Sequence, residues 1–216
     1  MDLLEGAYQY YLQNQAFFWR AVQQHLQLSI SALGISLVIC LPLGIWISRR
    51  LMAAQVLINA VNSLRVLPSL AILFLAYPYL GLGFLPALAA LTALAFPPIL
   101  VNTYTGMRNV DPAVIETANG MGMTPLQTLY KVRLPLAFPT ILAGVRIAAV
   151  EVIASATLAT FIGGGGLGDF ITRGFALLDA RIMLVGAIPV ALLALVVEVI
   201  LGGLNNQFRR TIYANR

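Results

Sequence analysis

Charged residues are scarce in this chain. They make up 10% of its 216 residues, whereas 60% of the residues are hydrophobic. So few charged side chains cannot cover the surface of an ordinary soluble globule of this size. The composition therefore argues against a soluble domain and indicates a protein whose main solvent is lipid.

Cysteine and histidine are almost absent. Cys40 is the only cysteine, so the chain cannot form an intramolecular disulfide. His25 is the only histidine, and one His and one Cys on different stretches do not support a zinc or haem site. We therefore expect this chain to bind no metal and no cofactor of its own.

A run of basic residues is also lacking. The chain has thirteen Lys and Arg residues and a formal net charge of +5, but these residues are scattered or paired. No patch interleaves them with aromatic side chains, as a nucleic-acid surface would require. Nucleic-acid binding is therefore not indicated.

Long hydrophobic runs are what the sequence does contain. A spanning helix needs about 20 mainly apolar residues, because the hydrocarbon core is about 30 Å thick. The stretches that reach this length cover residues 26–48, 54–77, 82–107, 137–162 and 182–204. The sequence therefore predicts an all-α membrane protein with five transmembrane helices.

The distribution of Lys and Arg predicts the orientation, because short cytoplasmic loops carry an excess of both residues. If the N-terminus is outside, most basic residues lie on the cytoplasmic side, namely Arg49, Arg50, Arg108, Lys131, Arg133, Arg209, Arg210 and Arg216. Only Arg20, Arg173 and Arg181 then lie outside. We therefore expect an outside N-terminus and a cytoplasmic C-terminus.

The ends of the chain flank this helical region. Residues 1–25 include the aromatic trio Phe17, Phe18 and Trp19, which predicts an N-terminal interfacial segment at headgroup level on the outer surface. A soluble tail is the alternative for this segment. Residues 26–204 form the predicted transmembrane domain, and residues 205–216 form a predicted cytoplasmic tail.

One connection, residues 108–135, is too long and too polar for a simple turn, and the charge rule places it in the cytoplasm. Asp111-Pro112 is a good start for a short helix. Gly120 and Gly122 permit a sharp turn, after which Thr124-Pro125 can cap and start a second short helix. Such a helix–turn–helix is either a docking element for a soluble partner or a surface-lying or re-entrant loop.

This connection resembles the cytoplasmic loop of type I ABC importer permeases. That family carries Glu-Ala-Ala, three residues, Gly, nine residues and Ile-x-Leu-Pro. The matching residues here are Glu116-Thr117-Ala118, Gly122 and Val132-Arg133-Leu134-Pro135, with every spacing kept. Thr117 and Val132 depart from the pattern but are close in size to the family's residues.

The resemblance implies that this loop is the coupling element that sits in a groove of an ATPase subunit. The residues it assigns to ATPase coupling are Glu116, Thr117, Ala118, Gly120, Gly122, Leu134 and Pro135. It also implies that ATP and Mg²⁺ are bound by the partner ATPase, and that the chain itself is not an enzyme.

Three further segments resemble the glycine betaine, carnitine and choline (osmoprotectant) branch of these permeases. They cover residues 67–73, 102–106 and 156–169. This resemblance implies a permease that forms the pathway for a quaternary-amine osmolyte in the bacterial inner membrane. The implied partners are two ABC ATPase subunits, a second permease subunit, identical or different, and an extracytoplasmic solute-binding protein.

Other functions remain open from the residues. Within the family, the solute could be an ergothioneine-like betaine or an amino acid. Outside the family, the chain could be a stand-alone secondary transporter or channel, or a membrane scaffold or receptor subunit. The absence of convincing similarity between the two halves weakens the reading as an inverted-repeat secondary transporter.

Two backbone features are candidates for a gate or hinge. The run Gly163, Gly164, Gly165 and Gly166 follows the fourth hydrophobic stretch, and Pro68 lies in the second. The glycine run lacks the Lys and Ser/Thr of a P-loop, so nucleotide binding there is improbable. It either folds over the mouth of the pathway or is a plain flexible linker.

Four ionisable residues lie inside the predicted spans: Arg65, Arg146, Glu151 and Glu198. Each would cost about 2.5–3.5 kcal/mol at a lipid-facing helix centre, so each should face protein or water. Arg146 and Glu151 are about 140° apart around a helix, and we expect their partners on other helices. These charges either act as latches that hold the protein open to one side of the membrane, or form structural pairs. The structural pairs are favoured.

Overall fold

A computed structural model of the chain describes residues 3–213, and every element in that part is helical. The elements are α1 (Leu3–Gln13), α2 (Gln15–Ile47), α3 (Leu51–Leu64), α4 (Ser69–Leu80), α5 (Phe84–Arg108), α6 (Pro112–Gly120), α7 (Pro125–Thr128), a π-helical turn (Leu129–Arg133), α8 (Leu134–Ser155), a 3-10 segment (Ala156–Ile162), α9 (Gly168–Ala176) and α10 (Ala180–Tyr213). The predicted tail is helical to Tyr213, and Arg216 lies outside the described residues.

Four continuous helical stretches are long and apolar enough to cross a membrane. They are Gln15–Ile47, Phe84–Arg108, Pro125–Ile162 and Ala180–Phe208. The pair α3 and α4 qualifies as a fifth span only when its two helices are taken together. Each of the five predicted spans therefore has a helical counterpart.

The second span is broken rather than continuous. The sequence predicts one span over 54–77, but α3 and α4 are bent by 97° at residues 65–68. Pro68 has no N–H to continue the ladder of α3, and its ring pushes Leu67 away from helical geometry. The chain turns through this break and restarts as α4 at Ser69.

The first spanning helix begins earlier than predicted. Residues 15–25 form one continuous helix with the first apolar stretch, so no helix boundary separates the predicted interfacial segment from the predicted span. This segment contains neither Gly nor Pro, so nothing in it stops a helix. The N-terminal helix α1 packs back against α10, where Gly6 lies beneath the Arg181 side chain.

Helices α2, α5 and α8 form the centre of the fold through close backbone approach. Gly44 of α2 faces the Thr103 side chain, and Gly144 of α8 faces the Pro98 carbonyl oxygen and Asn102. A Cβ atom at Gly144 would lie 2.5 Å from both of those neighbours. Small residues permit such contacts between membrane helices, where packing rather than water drives association.

Candidate functional site

The loop between α5 and α8 folds into a short hairpin, α6 and α7, which we call the α6–α7 hairpin (residues 111–128). Asp111 caps α6 by accepting a hydrogen bond from the Ala113 N–H at 2.9 Å, and Pro112 occupies the first turn. Aspartate at this position satisfies an orphan amide, while proline has no N–H to lose. The helix starts at the Asp-Pro pair, as the sequence predicts.

The turn of the hairpin depends on a glycine. Gly122 has φ = +80°, a left-handed conformation that favours glycine, whereas Gly120 is still helical. Thr124 and Gln127 then form a reciprocal capping box at the start of α7. A side-chain hydrogen bond of 3.1 Å from Thr128 to Asn119 joins the two helices.

The sequence predicts the second helix of the hairpin as a separate short helix, but the structure does not end it there. It continues through the π-helical turn Leu129–Arg133 directly into α8. Pro135 has no N–H for the carbonyl of Lys131, and a wider turn at this point accommodates that missing donor. The hairpin and the fourth span are therefore joined by continuous helix.

The hairpin presents the predicted coupling residues on an open surface. Glu116, Thr117, Gly120, Gly122 and Pro135 are exposed, Leu134 is half-buried, and Ala118 is buried. Large apolar side chains are exposed beside them, with Met121 at 68%, Leu126 at 64% and Tyr130 at 62%. Exposed apolar side chains grouped on a polar loop are typical of a surface that a partner covers.

An arginine anchors the base of the hairpin to the neighbouring span. The Arg133 Nη2 donates a hydrogen bond of 3.0 Å to the Met107 carbonyl oxygen at the end of α5. Arg49 and Arg108 are close enough to act on Arg133 electrostatically. No sequence signal pointed to the contact between Arg133 and Met107.

A second feature is a cleft at the break between α3 and α4, which we call the Arg65–Glu151 cleft. It has a volume of about 490 Å³. Its lining residues are Leu64, Arg65, Leu67, Pro68, Ser69, Leu94, Pro97, Ile147, Glu151 and Ser155. The fold therefore brings together two of the predicted intramembrane charges and the predicted hinge proline.

The other two intramembrane charges pair with each other. Arg146 of α8 lies 3.6 Å from the Glu198 carboxylate of α10. This agrees with the expectation that the partner of Arg146 lies on another helix. Arg146 and Glu151 are not paired, as their angular separation on α8 predicts.

The glycine run packs against the first span. Gly164 is buried, and a Cβ at Gly165 would lie 2.7 Å from the Gln24 side-chain oxygen. Gly163, Gly165 and Gly166 all have positive φ values, which explains the use of glycine there. His25, against which Gly166 lies, is buried and contacts the Ile153 carbonyl oxygen at 3.1 Å. Residues 164–166 thus form a closely packed turn, and the role of the run as a gate stays a prediction.

Comparison with known proteins gives one consistent result. A family model described as "Binding-protein-dependent transport system inner membrane component" matches residues 23–210. The chain is 48% identical over 193 residues to the carnitine transport permease protein OpuCB of Listeria monocytogenes, covering 89% of this chain and 88% of that protein. It is 42% identical over 178 residues to the glycine betaine/carnitine/choline transport system permease protein OpuCB of Bacillus subtilis, covering 82% of each.

A solved structure shares the fold. A chain of the MetNI methionine ABC transporter, in an inward-facing conformation, matches with a TM-score of 0.80. The match covers 91% of this chain and 98% of that chain at 21% identity. At this identity the likeness shows the fold alone.

Proposed function

The chain belongs to the family of binding-protein-dependent transport system inner membrane components, and on that premise we propose that it forms the pathway of an ATP-driven importer for a quaternary-amine osmolyte. The observation that carries the solute class is the similarity to carnitine and glycine betaine/carnitine/choline permeases over most of both chains. Carnitine, choline and glycine betaine share a quaternary ammonium group. We therefore take them as the candidate solutes.

The α6–α7 hairpin is the proposed coupling element. Its exposed residues Met121, Leu126 and Tyr130 would fill an apolar groove of the ATPase subunit, and Glu116 would meet a polar rim. The orientation that places this hairpin in the cytoplasm is the one that the basic residues favour. In the proposed arrangement the N-terminus lies outside, and the multi-pass chain lies in the bacterial cytoplasmic membrane.

The transport cycle follows from the connection between the hairpin and α8. ATP and Mg²⁺ would bind to two partner ATPase subunits, whose closure would move the hairpin. Because α7 runs without a break through the π-helical turn into α8, this motion would tilt the fourth span. The chain contributes a lever and a pathway wall, while the partner performs the hydrolysis.

The pathway itself is proposed to lie between two permease subunits. A bundle of about five helices has no room for a polar channel at its centre, which here is filled by the close packing of α2, α5 and α8. The Arg65–Glu151 cleft lies at the side of that packed centre. A second permease subunit facing this cleft would complete the enclosure, and a solute-binding protein would deliver solute from outside.

Uptake into proteoliposomes tests this function. The permease is reconstituted with its ATPase and second permease subunits, and radiolabelled glycine betaine and choline are supplied with the solute-binding protein. We expect uptake of at least one solute that requires ATP and all the subunits. Solute flux through the chain alone without ATP would instead support a stand-alone transporter or channel, and the absence of uptake in the complete system would contradict the proposal.

A further inference from the structure

The Arg65–Glu151 cleft has the size of a small-molecule site. Its volume of about 490 Å³ lies within the range of roughly 300–1,000 Å³ that is usual for ligand pockets. Its walls come from three spans: the broken second span, α5 and α8. Six of the ten lining residues are apolar, and Ser69, Ser155 and the two charges are the polar ones.

The two charges in this cleft differ from the other intramembrane pair. Arg146 and Glu198 are joined by a salt bridge, whereas neither the Arg65 nor the Glu151 side chain forms a salt bridge or hydrogen bond with another side chain in residues 3–208. Arg65 acts on Glu151 electrostatically across the cleft. Two charges held apart inside a membrane domain are costly unless water or a ligand meets them.

Both charges lie at or near the C-terminal ends of their helices, because Arg65 follows the last residue of α3 and Glu151 is in the last turns of α8. Arg65 is about 21 Å along α3 from Leu51, and Glu151 is about 26 Å along α8 from Leu134, at about 1.5 Å per residue. These distances place both side chains well away from the hairpin end of the spans. The first turn of α4 begins at the same place, because Pro68 and Ser69 line the cleft. Free N–H groups at a helix start add partial positive charge beside Arg65.

The cleft thus has a negative wall and a positive wall. The negative wall is the Glu151 carboxylate of α8, and the positive wall is Arg65 with the start of α4. A zwitterion that carries a quaternary ammonium at one end and a carboxylate at the other offers a charge of the opposite sign to each wall. A quaternary-ammonium alcohol matches only the negative wall.

We propose that the Arg65–Glu151 cleft is a transit site for the solute inside the membrane, where Glu151 faces the quaternary ammonium and Arg65 faces the carboxylate of a zwitterionic solute. This inference rests on the function proposed above. None of the lining residues of the cleft is aromatic. The site therefore lacks the aromatic faces that bind quaternary ammonium tightly, which suits a site that must release its solute.

Uptake of two solutes that differ in charge tests the transit site. Choline has the ammonium and no carboxylate, whereas glycine betaine has both groups. The complete transporter is assayed in proteoliposomes with saturated solute-binding protein, so that maximal uptake rates report the permease. Arg65→Gln should lower glycine betaine uptake by roughly tenfold and leave choline uptake within about twofold of wild type, because only one solute loses a charge-assisted contact.

Glu151→Gln should lower the uptake of both solutes by roughly tenfold, because both carry the ammonium. Arg65→Lys and Glu151→Asp should restore much of the lost uptake, since each keeps the charge. The matched control is Glu198→Gln, which removes an intramembrane carboxylate outside the cleft. It should change the uptake of the two solutes by one common factor.

The outcomes separate the two proposals. If the wild-type transporter shows ATP-driven uptake but Arg65→Gln changes the uptake of both solutes equally, or of neither, the transit site is overturned and the importer function stands. A complete wild-type system that transports neither solute would overturn the proposed function, and the transit site with it. The proposal requires that Arg65→Gln raises the ratio of choline uptake to glycine betaine uptake, and that Glu151→Gln and Glu198→Gln leave this ratio unchanged.

Discussion

The Thr128 hydroxyl donates a hydrogen bond of 3.1 Å to the side-chain oxygen of Asn119, and this contact joins α6 to α7. In the proposed transport cycle this contact would help to pass a push on α6 to the helix that continues into α8. Thr128 is buried within the hairpin, while the predicted coupling residues Glu116 and Thr117 are exposed. The hairpin therefore has a side-chain contact between its two helices on the inside and an exposed outer face.

Loosening this link should uncouple transport from ATP hydrolysis. In Thr128→Val the hydroxyl is lost while the side-chain shape is kept, which should weaken the joint by about 1 kcal/mol. We expect less solute imported per ATP hydrolysed, with the ATPase still bound. Ser63→Ala is the matched control, because the exposed Ser63 hydroxyl bonds only to the Asn59 carbonyl in its own helix. Equal coupling ratios in the two variants would contradict this role of the joint.

Reversing the charge of Glu116 should release the ATPase. Glu116 is exposed on α6 and has room for a longer side chain, so Glu116→Lys should leave folding intact. We expect the amount of ATPase that copurifies with the permease to fall by about tenfold, the effect of a reversed charge at an interface. Glu5→Lys provides an equivalent reversal on exposed α1 and should leave copurification unchanged. If both variants retain the ATPase, Glu116 is not at the interface.

The turn of the hairpin should tolerate asparagine but not valine at position 122. Gly122 has φ = +80°, and left-handed geometry costs a β-branched residue about 1–2 kcal/mol or more. Gly122→Val should therefore distort the hairpin and lower ATP-driven uptake, whereas Gly122→Asn should retain most of the uptake. No atom lies within 4 Å of the Cβ position, so backbone strain rather than a clash within this chain explains the difference. Equal loss in both variants would favour a clash with the partner instead.

The pair Arg146 and Glu198 should behave as a structural salt bridge. Glu198→Gln leaves an unpaired arginine inside the membrane domain and should lower the free energy of unfolding by about 1–2 kcal/mol. The double variant Arg146→Gln/Glu198→Gln should recover more than half of that loss, because both charges are gone. Thermal unfolding of the wild type, the two single variants and the double variant in nanodiscs gives the free energies for a double-mutant cycle. Strictly additive effects of the two substitutions would show that the 3.6 Å contact contributes no stability.

Adding one methyl group at Gly168, directly after the glycine turn, should destabilise the fold. A Cβ at Gly168 would overlap the Thr157 carbonyl oxygen, and backbone cannot move aside cheaply. Gly168→Ala should destabilise the fold by at least about 1–3 kcal/mol and reduce the yield of monodisperse protein. Gly203→Ala, with no atom within 4 Å, is the matched control in α10. A normal yield of Gly168→Ala would mean that the turn is more mobile than this packing implies.

The local elements of the hairpin were predictable from sequence because their determinants are adjacent residues. Asp111-Pro112 and Thr124-Pro125 each carry a cap and a fixed φ, and the structure starts a helix at both. The family predicted from the Glu116–Pro135 motif is confirmed by the match over residues 23–210. The roles of the coupling residues stay predictions.

The remaining features depend on contacts between distant parts of the chain. Gln24 and His25 pack against a glycine run about 140 residues away, which no local pattern encodes. Pro68 indicated a kink, but the angle of 97° depends on how α3 and α4 pack on their neighbours. The meeting of Arg65 with Glu151 in one cleft follows from that same break.

Crosslinking from the tip of the α6–α7 hairpin tests the central claim most directly. Cys40 is the only cysteine and is buried, so Cys40→Ala combined with Met121→Cys leaves a single exposed thiol at the hairpin. A short thiol-reactive crosslinker should join this thiol to the ATPase subunit in the assembled transporter. Tyr79→Cys in the same background, exposed at the far end of α4, should give no such product. A Met121→Cys thiol that a membrane-impermeant reagent labels from outside the cell, or that never links to the ATPase, would contradict the account.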